Sequence, residues 1–288
     1  MNTIAFIGLG IMGSRMAAHL AKNNVNLIVY NRDKSKTTEL ETLGAQVADT
    51  IKEAVQDSEI VFSMLSTPET VSSIFFGENG ALSQMKEGAI WTDCTTVNPA
   101  FSLQCFTESQ KFGIRFIDAP VAGSKPQAEN AELAFFIGGN ENDVNEILPY
   151  TSLMGAKSLH IGVTGKGASY KMIVNMMLAQ SMAIFSEAVL LGEAMGIQES
   201  LLLETLPNLT VAAPFTKVKA KNIQNNEYDV QFPLEWMHKD LHLATLTAYE
   251  YNQPVHLANA AKELFAGAKK AGLAREDFSA IHKFLRKK

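Results

Sequence analysis

Cysteine is nearly absent. The two in 288 residues, Cys94 and Cys105, have no metal-ligand spacing, so neither a disulfide framework nor a zinc cluster is expected, and they read as packed side chains in a reducing cytosol. Positive charge is not in excess either. With 25 basic against 30 acidic residues and a net charge of -5, the chain has no general attraction for nucleic acid or an anionic membrane, and any anion must be held locally. No internal repeat and no low-complexity linker is present. No uncharged stretch reaches the length of a membrane span, because Glu187 and Glu193 break the longest apolar segment. Met1 leads within two residues into a strand-like run, which leaves no room for a signal peptide and gives a cytoplasmic expectation.

What is present is apolar. A hydrophobic content of 47% with a mean hydropathy of +0.01 can bury one large core or two smaller ones, and two domains are expected. The chain opens with a β-branched and aromatic run, Thr3 to Ile7, that ends in Gly8-Leu9-Gly10-Ile11-Met12-Gly13 and passes into the helical spacing of Met12, Met16 and Leu20. This is strand, glycine turn, helix. Gly8 would make the tight turn, Gly10 would let a pyrophosphate approach the backbone, and Gly13 would let the helix pack on the strand. The helix N-terminus then faces the phosphates.

A second strand, Val25 to Tyr30, ends at Asn31-Arg32, where an NAD-binding chain usually places an acid for the ribose 2′-hydroxyl. Asn31 can donate to a 2′-phosphate, Arg32 can lie against it as a planar fork, and Lys34, Ser35 and Lys36 follow. The pattern points to NADP(H). Strands at 60–65, 89–93, 114–117, 133–137 and 158–161 alternate with helices started by Thr67-Pro68 and Asn98-Pro99, which predicts a mostly parallel, doubly wound Rossmann-type sheet. Ligands gather at the carboxyl ends of such strands, where Leu65, Ser66, Thr67, Thr95, Thr96 and residues 120–124 fall.

After Gly162 the strand signal stops. The stretch Gly165 to Gly196 reads as one long helix, apolar on every face and therefore expected to be buried along most of its length, with Met172, Met176, Met177 and Met182 in the core. Lys171 sits near its start, and Asn175 lies on the same face one turn on. A lysine near a helix start more often carries its amine out to solvent. Held among apolar neighbours, its ammonium becomes able to give and take a proton near neutral pH. Helices follow at roughly 198–206, 214–222, 234–250, 254–271 and 276–285, with Pro214 and Pro254 at first positions. The expected domains are 1–163, an NADP-binding α/β domain, and 164–288, an all-α domain for substrate and dimerisation, joined by the long interdomain helix. His238 and His242 share a helix face at metal-ligand spacing, but lack the intervening Glu of H-E-x-x-H, and no metal is expected. The terminal KFLRKK reads as a solvated helix end.

Five ordered segments, GLGIMGSRM, TDCTTVNP, DAPVAGSKPQAENAELAFFIGG, GKGASYKMIVNMM and FPLEWMHKDLHLA, resemble the β-hydroxyacid dehydrogenase family, which includes enzymes of 3-hydroxyisobutyrate, tartronate semialdehyde and glyoxylate/succinic semialdehyde. The resemblance covers essentially the whole chain. Asn31-Arg32 together with APV-x-GSK-x-x-AE is most similar to the NADPH-dependent glyoxylate/succinic semialdehyde reductases. The resemblance implies a catalytic role for Lys171 and a hold on the reacting oxygen for Asn175. It places Thr96 near nicotinamide and substrate, Phe232, Lys239 and Asp240 where they close over cofactor and substrate, and Gly123 and Ser124 in the loop for the substrate carboxylate. One position departs: the family's serine before Gly123 is Ala122 here, and backbone amides would have to serve instead.

The expected chemistry is hydride transfer to a carbonyl carbon, with Lys171 as general acid in reduction and base in oxidation. Small carboxylate-bearing aldehydes, glyoxylate and succinic semialdehyde, are the expected substrates of a homodimer or homotetramer, with 3-hydroxyisobutyrate or tartronate semialdehyde the nearest alternative. An imine reductase or a non-catalytic nucleotide-binding module is the second; relatives of both kinds usually lack the lysine.

Overall fold

The computed structural model describes residues 2 to 286. Among these, nine strands form one sheet: β1 Thr3–Ile7, β2 Asn26–Tyr30, β3 Gln46–Val47, β4 Ile60–Ser63, β5 Ile90–Asp93, β6 Arg115–Asp118, β7 Val121–Ala122, β8 Leu133–Gly138 and β9 Gly155–Gly162. The first six are parallel in the order β3-β2-β1-β4-β5-β6, so the strand order reverses beside β1. That reversal is where a Rossmann-type sheet opens a crevice for its ligand. Beyond β6 the pattern changes: β8 runs antiparallel to β6 and β7, and parallel to β9.

Alternation along the strands explains why the sheet is covered on both faces. Ile4, Phe6, Ile60, Phe62 and Ile90 share one apolar cluster; Ala5, Ile7, Val61, Trp91 and Phe116 share another. Successive side chains point to opposite faces, so both faces need helices over them. On the second face Phe75 stacks on Trp91 with ring centroids 3.9 Å apart and planes 7° from parallel.

The chain divides into two compact units, Met1–Met172 and Ile173–Lys288. The division falls inside the long helix Lys166–Ala194, whereas the change of sequence character lies at residues 162–166. In the second unit the helices Glu199–Thr205, Thr216–Gln224, Leu234–Glu250, His256–Ala268 and Ile281–Arg286 enclose a core that includes Met182, Phe185, Leu241 and Phe265. Pro214 and Pro254 precede their helices rather than start them. The Thr216 amide and hydroxyl both donate to the Ala213 carbonyl, closing a turn first, and Val255 is extended at φ -130°. The helix expected to reach 271 gives way after Ala268 to a wide turn in which Gly272 takes φ +92°.

The long helix is less buried than its composition predicts. Ala179, Met182 and Val189 are fully buried, but Ile173, Met177, Ile184 and Leu191 are 54 to 63% exposed. Met177 is thus the one of the four expected core methionines that faces out. Periodicity reports that every face is apolar without reporting what covers it. By length and composition alone this helix is long and apolar enough to cross a membrane, contrary to the expectation from the breaks at Glu187 and Glu193, and 39% of its most apolar window is buried inside the fold. At the C-terminus, Arg286 is paired with Glu193 and Glu199 and Lys283 with Glu276, so these two cations are engaged rather than only solvated. Lys287 and Lys288 lie outside the described residues.

His282 is 1% exposed, and neither ring nitrogen has a hydrogen-bond partner among the described residues. Burial, with the Arg286 charge beside it, pushes its pKa down from 6.5 to about 4. The folded chain therefore refuses a proton that the unfolded chain accepts from about pH 6.5. Stability from this group is full above that pH and falls as pH drops toward 4, by roughly 3 kcal/mol in all. His282→Leu is expected to flatten the loss between pH 7 and pH 4 and to leave pH 8 stability unchanged or higher. Urea midpoints across that range measure it.

Candidate active site

The glycine loop is built by contact rather than by flexibility. Gly8 takes φ +96°, and a Cβ there would lie 2.5 Å from the Met64 carbonyl oxygen; one on Gly13 would lie 2.0 Å from the Gly8 carbonyl oxygen. Gly10 meets nothing within 4 Å. The helix Gly13–Lys22 that follows has no side-chain cap and no acid in its first turn; its Ser14, Arg15 and Met16 amides are turned onto the Gly10 and Met12 carbonyls, so the Gly13 amide and the positive dipole end are what it offers an anion. These features fit a pyrophosphate.

Asn31 ties the loop to the end of β2. Its Oδ1 accepts the Leu9 N–H at 2.9 Å and its Nδ2 donates to the Asp33 carbonyl at 2.9 Å, so only one amide hydrogen is left for a ligand. An acid does follow, two residues later, and sequence reasoning passed over it. The Asp33 carboxylate accepts from the Ser35 amide and hydroxyl, bonds that hold its pKa below the usual carboxylate range. Lys34 is turned to Asp49 at 3.1 Å and to the Ala48 carbonyl. Arg32 and Lys36 are exposed. Arg32 makes no hydrogen bond or ion pair among the described residues.

The loops after β4 and β5 are held by one buried carboxylate. Asp93 Oδ1 accepts from Ser63 Oγ at 2.7 Å, Thr95 Oγ1 at 2.6 Å and Thr95 N at 3.2 Å. Trp91 Nε1 donates to Ser63 Oγ, and the Leu65 N–H donates to Thr95 Oγ1. Leu65 is bonded into this network, with Ser66 and the half-buried Thr96 next to its members in the chain, and no local sequence signal announces it. Cys94 and Cys105 are free and buried, and burial pushes both thiols up.

After β6, Gly123 is exposed and takes φ +120°. Ser124 is less available than expected, because its N–H and its hydroxyl both donate to Gln127 Oε1 at 2.9 and 3.0 Å. The Ser-x-x-Gln spacing carried that signal. Gly123 is left as the open backbone of this loop, beside the half-buried methyl of Ala122. Lys171, on the long helix of the same unit, is 6% exposed and so does not reach solvent.

In the second unit Asn175 and Asp240 are each 2% exposed and joined by a 2.6 Å bond from Asn175 Nδ2 to Asp240 Oδ2. A carboxylate only accepts, which fixes the amide and leaves Asn175 Oδ1 as a buried acceptor with no partner. Lys239 Nζ lies 3.0 Å from Asp240 Oδ1. Phe232 is half-buried, its N–H donating to Asp277 Oδ2 at 3.1 Å and its ring 5.8 Å from that of Phe278. Asp277 in turn pairs with the buried Lys219 at 2.8 Å. Burial and the Lys269 and His242 charges lower the His238 pKa. Among the described residues no His, Cys, Asp or Glu group of three or more could hold a metal.

The profile of the NAD-binding domain of 6-phosphogluconate dehydrogenase matches residues 3–162, and that of NAD-binding of NADP-dependent 3-hydroxyisobutyrate dehydrogenase matches residues 165–285. The chain is 35% identical to glyoxylate/succinic semialdehyde reductase 2 of Arabidopsis thaliana over 97% of its own length and 78% of the relative's. It belongs to the β-hydroxyacid dehydrogenase family. The human mitochondrial 3-hydroxyisobutyrate dehydrogenase is 31% identical over 98% of this chain and 86% of its own. The solved Mycobacterium tuberculosis 3-hydroxyisobutyrate dehydrogenase with L-serine superimposes with a TM-score of 0.89 at 27% identity, covering 99% of each chain. As a β-hydroxyacid dehydrogenase, the protein is an oxidoreductase that uses a nicotinamide cofactor on a small-molecule substrate.

The two glycines at the heart of the loop are expected to fail differently. Gly13→Ala forces a Cβ against the Gly8 carbonyl oxygen and should destabilise this β-hydroxyacid dehydrogenase by about 1–3 kcal/mol, read as a lower melting temperature. Gly10→Ala meets no protein atom, and should keep the melting temperature while weakening cofactor binding in a fluorescence titration.

Proposed function

We propose that the protein is an NADPH-dependent reductase of small carboxylate-bearing aldehydes, glyoxylate and succinic semialdehyde among them. The observation that carries this reading is the buried Lys171 ammonium, one helical turn before an Asn175 whose amide Asp240 has already oriented. Higher identity to a glyoxylate/succinic semialdehyde reductase than to a 3-hydroxyisobutyrate dehydrogenase supports the substrate class. The exposed, unpaired Arg32 supports the 2′-phosphate.

When bound, reduced nicotinamide supplies the hydride to the carbonyl carbon. The Gly13 amide and the positive end of the helix Gly13–Lys22 hold the pyrophosphate, and Arg32 with the remaining Asn31 hydrogen and Lys36 takes the 2′-phosphate. Leu65, Ser66 and Thr96 line the nicotinamide end, and Lys239 also serves the cofactor. Lys171 Nζ gives its proton to the carbonyl oxygen as charge develops there, and takes it back in the oxidation direction. Asn175 Oδ1, a buried acceptor, takes the hydrogen bond of the resulting hydroxyl. The Gly123 amide serves the substrate carboxylate, because Ala122 has no hydroxyl and Ser124 has spent its donors on Gln127. Phe232 and Asp240 complete the substrate's surroundings.

Oxidation of NADPH and NADH by the purified protein, against glyoxylate, succinic semialdehyde, tartronate semialdehyde, methylmalonate semialdehyde and a cyclic imine, tests this reading. NADPH-linked turnover of the first two is expected; a preference for NADH, or turnover only of the others, overturns it. Lys171→Ala should lower turnover by about 10² to 10⁴ with cofactor binding retained. Arg32→Ala should weaken NADPH by about tenfold or more, as a lost charged hydrogen bond does, and leave NADH unchanged. Ala122→Ser restores a donor and should lower the KM for glyoxylate by roughly 2- to 10-fold.

We also propose a homo-oligomer that covers the exposed face of the long helix. Met177, Ile184 and Leu191 recur every seventh residue there, the spacing of a helix-packing seam. Light scattering at micromolar concentration should give a multiple of 31.4 kDa, and Ile184→Glu should lower it; a monomer mass for the unaltered protein would remove this proposal.

A further inference from the structure

Asp118 ends β6 and is 1% exposed, yet the chemistry proposed above does not use it. Both of its oxygens are taken by the backbone of the long helix. Oδ1 accepts the Gly165 N–H and Oδ2 the Ala168 N–H, each at 2.7 Å. That helix starts at Lys166, so the two donors sit at its N-cap and third position, where a helix has amides without partners of its own. Gly165 has no side chain to cap with. A carboxylate 47 residues earlier in the chain does what an N-cap side chain would do.

The fit leaves no slack. A Cβ on Gly167 would lie 2.3 Å from the Phe136 carbonyl oxygen and 2.9 Å from Asp118 Oδ2; one on Gly138 would lie 2.6 Å from Asp118 Oδ1 and 2.8 Å from the Gly167 nitrogen. The backbones of β8 and of the helix therefore close on the carboxylate from two sides. The other end of the lever is just as fixed, since Asp118 is in parallel register with Asp93 of β5. Lys171 comes three residues after Ala168, less than one turn.

We infer that Asp118 is a positioning residue for the reduction, setting the rotation and height of the helix's first turn against the sheet and thereby where the Lys171 ammonium sits. This inference rests on the reading of Lys171 as the proton donor. Reacting groups tolerate little error: a misplacement of about 1 Å can lower a rate about 100-fold. Asp118→Asn keeps the shape, removes the charge, and turns an amide donor toward one of the two N–H groups.

The test is a double-mutant cycle on turnover of glyoxylate with NADPH, using Asp118→Asn, Lys171→Ala and the pair, with NADPH affinity measured separately by fluorescence. Alone, Asp118→Asn should lower kcat by about 10- to 100-fold with NADPH affinity within about twofold, because the glycine loop is untouched. On the Lys171→Ala background it should change the residual rate less than about twofold, the non-additivity expected of residues acting as one. Equal losses on both backgrounds would assign Asp118 a structural role and overturn the inference, as would a folded Asp118→Asn with unaltered kcat. Should Asp118→Asn not fold, Asp118→Ser, which keeps an acceptor and removes bulk, runs the same cycle. Normal turnover in Lys171→Ala would instead overturn the reading of the lysine, so the two failures separate.

Discussion

A carboxylate beyond the reach of water persists only where donors meet its oxygens. Asp93, Asp118 and Asp277 are each 0 to 1% exposed, and each gathers its donors from a segment that carries residues of the candidate site. Asp93 takes Ser63 and Thr95 and so sets the loops of Leu65 and Thr96. Asp118 takes two amides at the start of the helix that bears Lys171. Asp277 takes the Phe232 amide, the Ser279 amide and hydroxyl and the Lys219 ammonium. The buried acids of this fold therefore act on the backbone, and the backbone places the side chains that chemistry needs.

Desolvation sets how tightly such a system is bound. Burial raises the Asp118 pKa to about 7 even though the Gly165 and Ala168 amides pull it down. Relative to an unfolded pKa of 3.8, the folded chain holds this proton more firmly, so its contribution to stability is greatest at low pH and declines as pH rises toward 7. His282 runs the other way, its contribution falling as pH drops. The two slopes overlap between about pH 4 and 6.5 and oppose each other, which leaves the net acid response smaller than either group alone would give.

Much of the fold was legible because it is written locally. Alternation in Thr3–Ile7 and Ile60–Ser63, the glycine spacing, and the loss of strand signal after Gly162 are all properties of short windows. The two-residue strands β3 and β7 are too short to carry a period, and the antiparallel course of β8 comes from pairing with β7 and β6, 12 to 20 residues earlier, which no period within the strand reports. The site divides the same way. Lys171 and Asn175 are visible as a spacing, whereas the bonds from Asp118 to Gly165 and from Asn175 to Asp240 span 47 and 65 residues and leave no local mark. Two features were written locally and still missed: Asp33 stands two residues after Asn31, and Ser124-x-x-Gln127 has capping-box spacing.

The long helix shows what periodicity cannot distinguish. Apolar residues on every face do not say which faces the chain itself buries. In this protein Met182 and Val189 are buried by its own second unit, while Met177 and Ile184 are not. Contiguous exposed apolar faces mark sites of association, and Lys171 with Asn175 lies on the same rod. A partner on the outer face would therefore bear on the element that carries the proposed acid, while the Asp118 carboxylate holds that element from the sheet side. A helix gripped at its start and packed along its inner face has little freedom to turn, and that lack of freedom is the property a fixed proton donor requires.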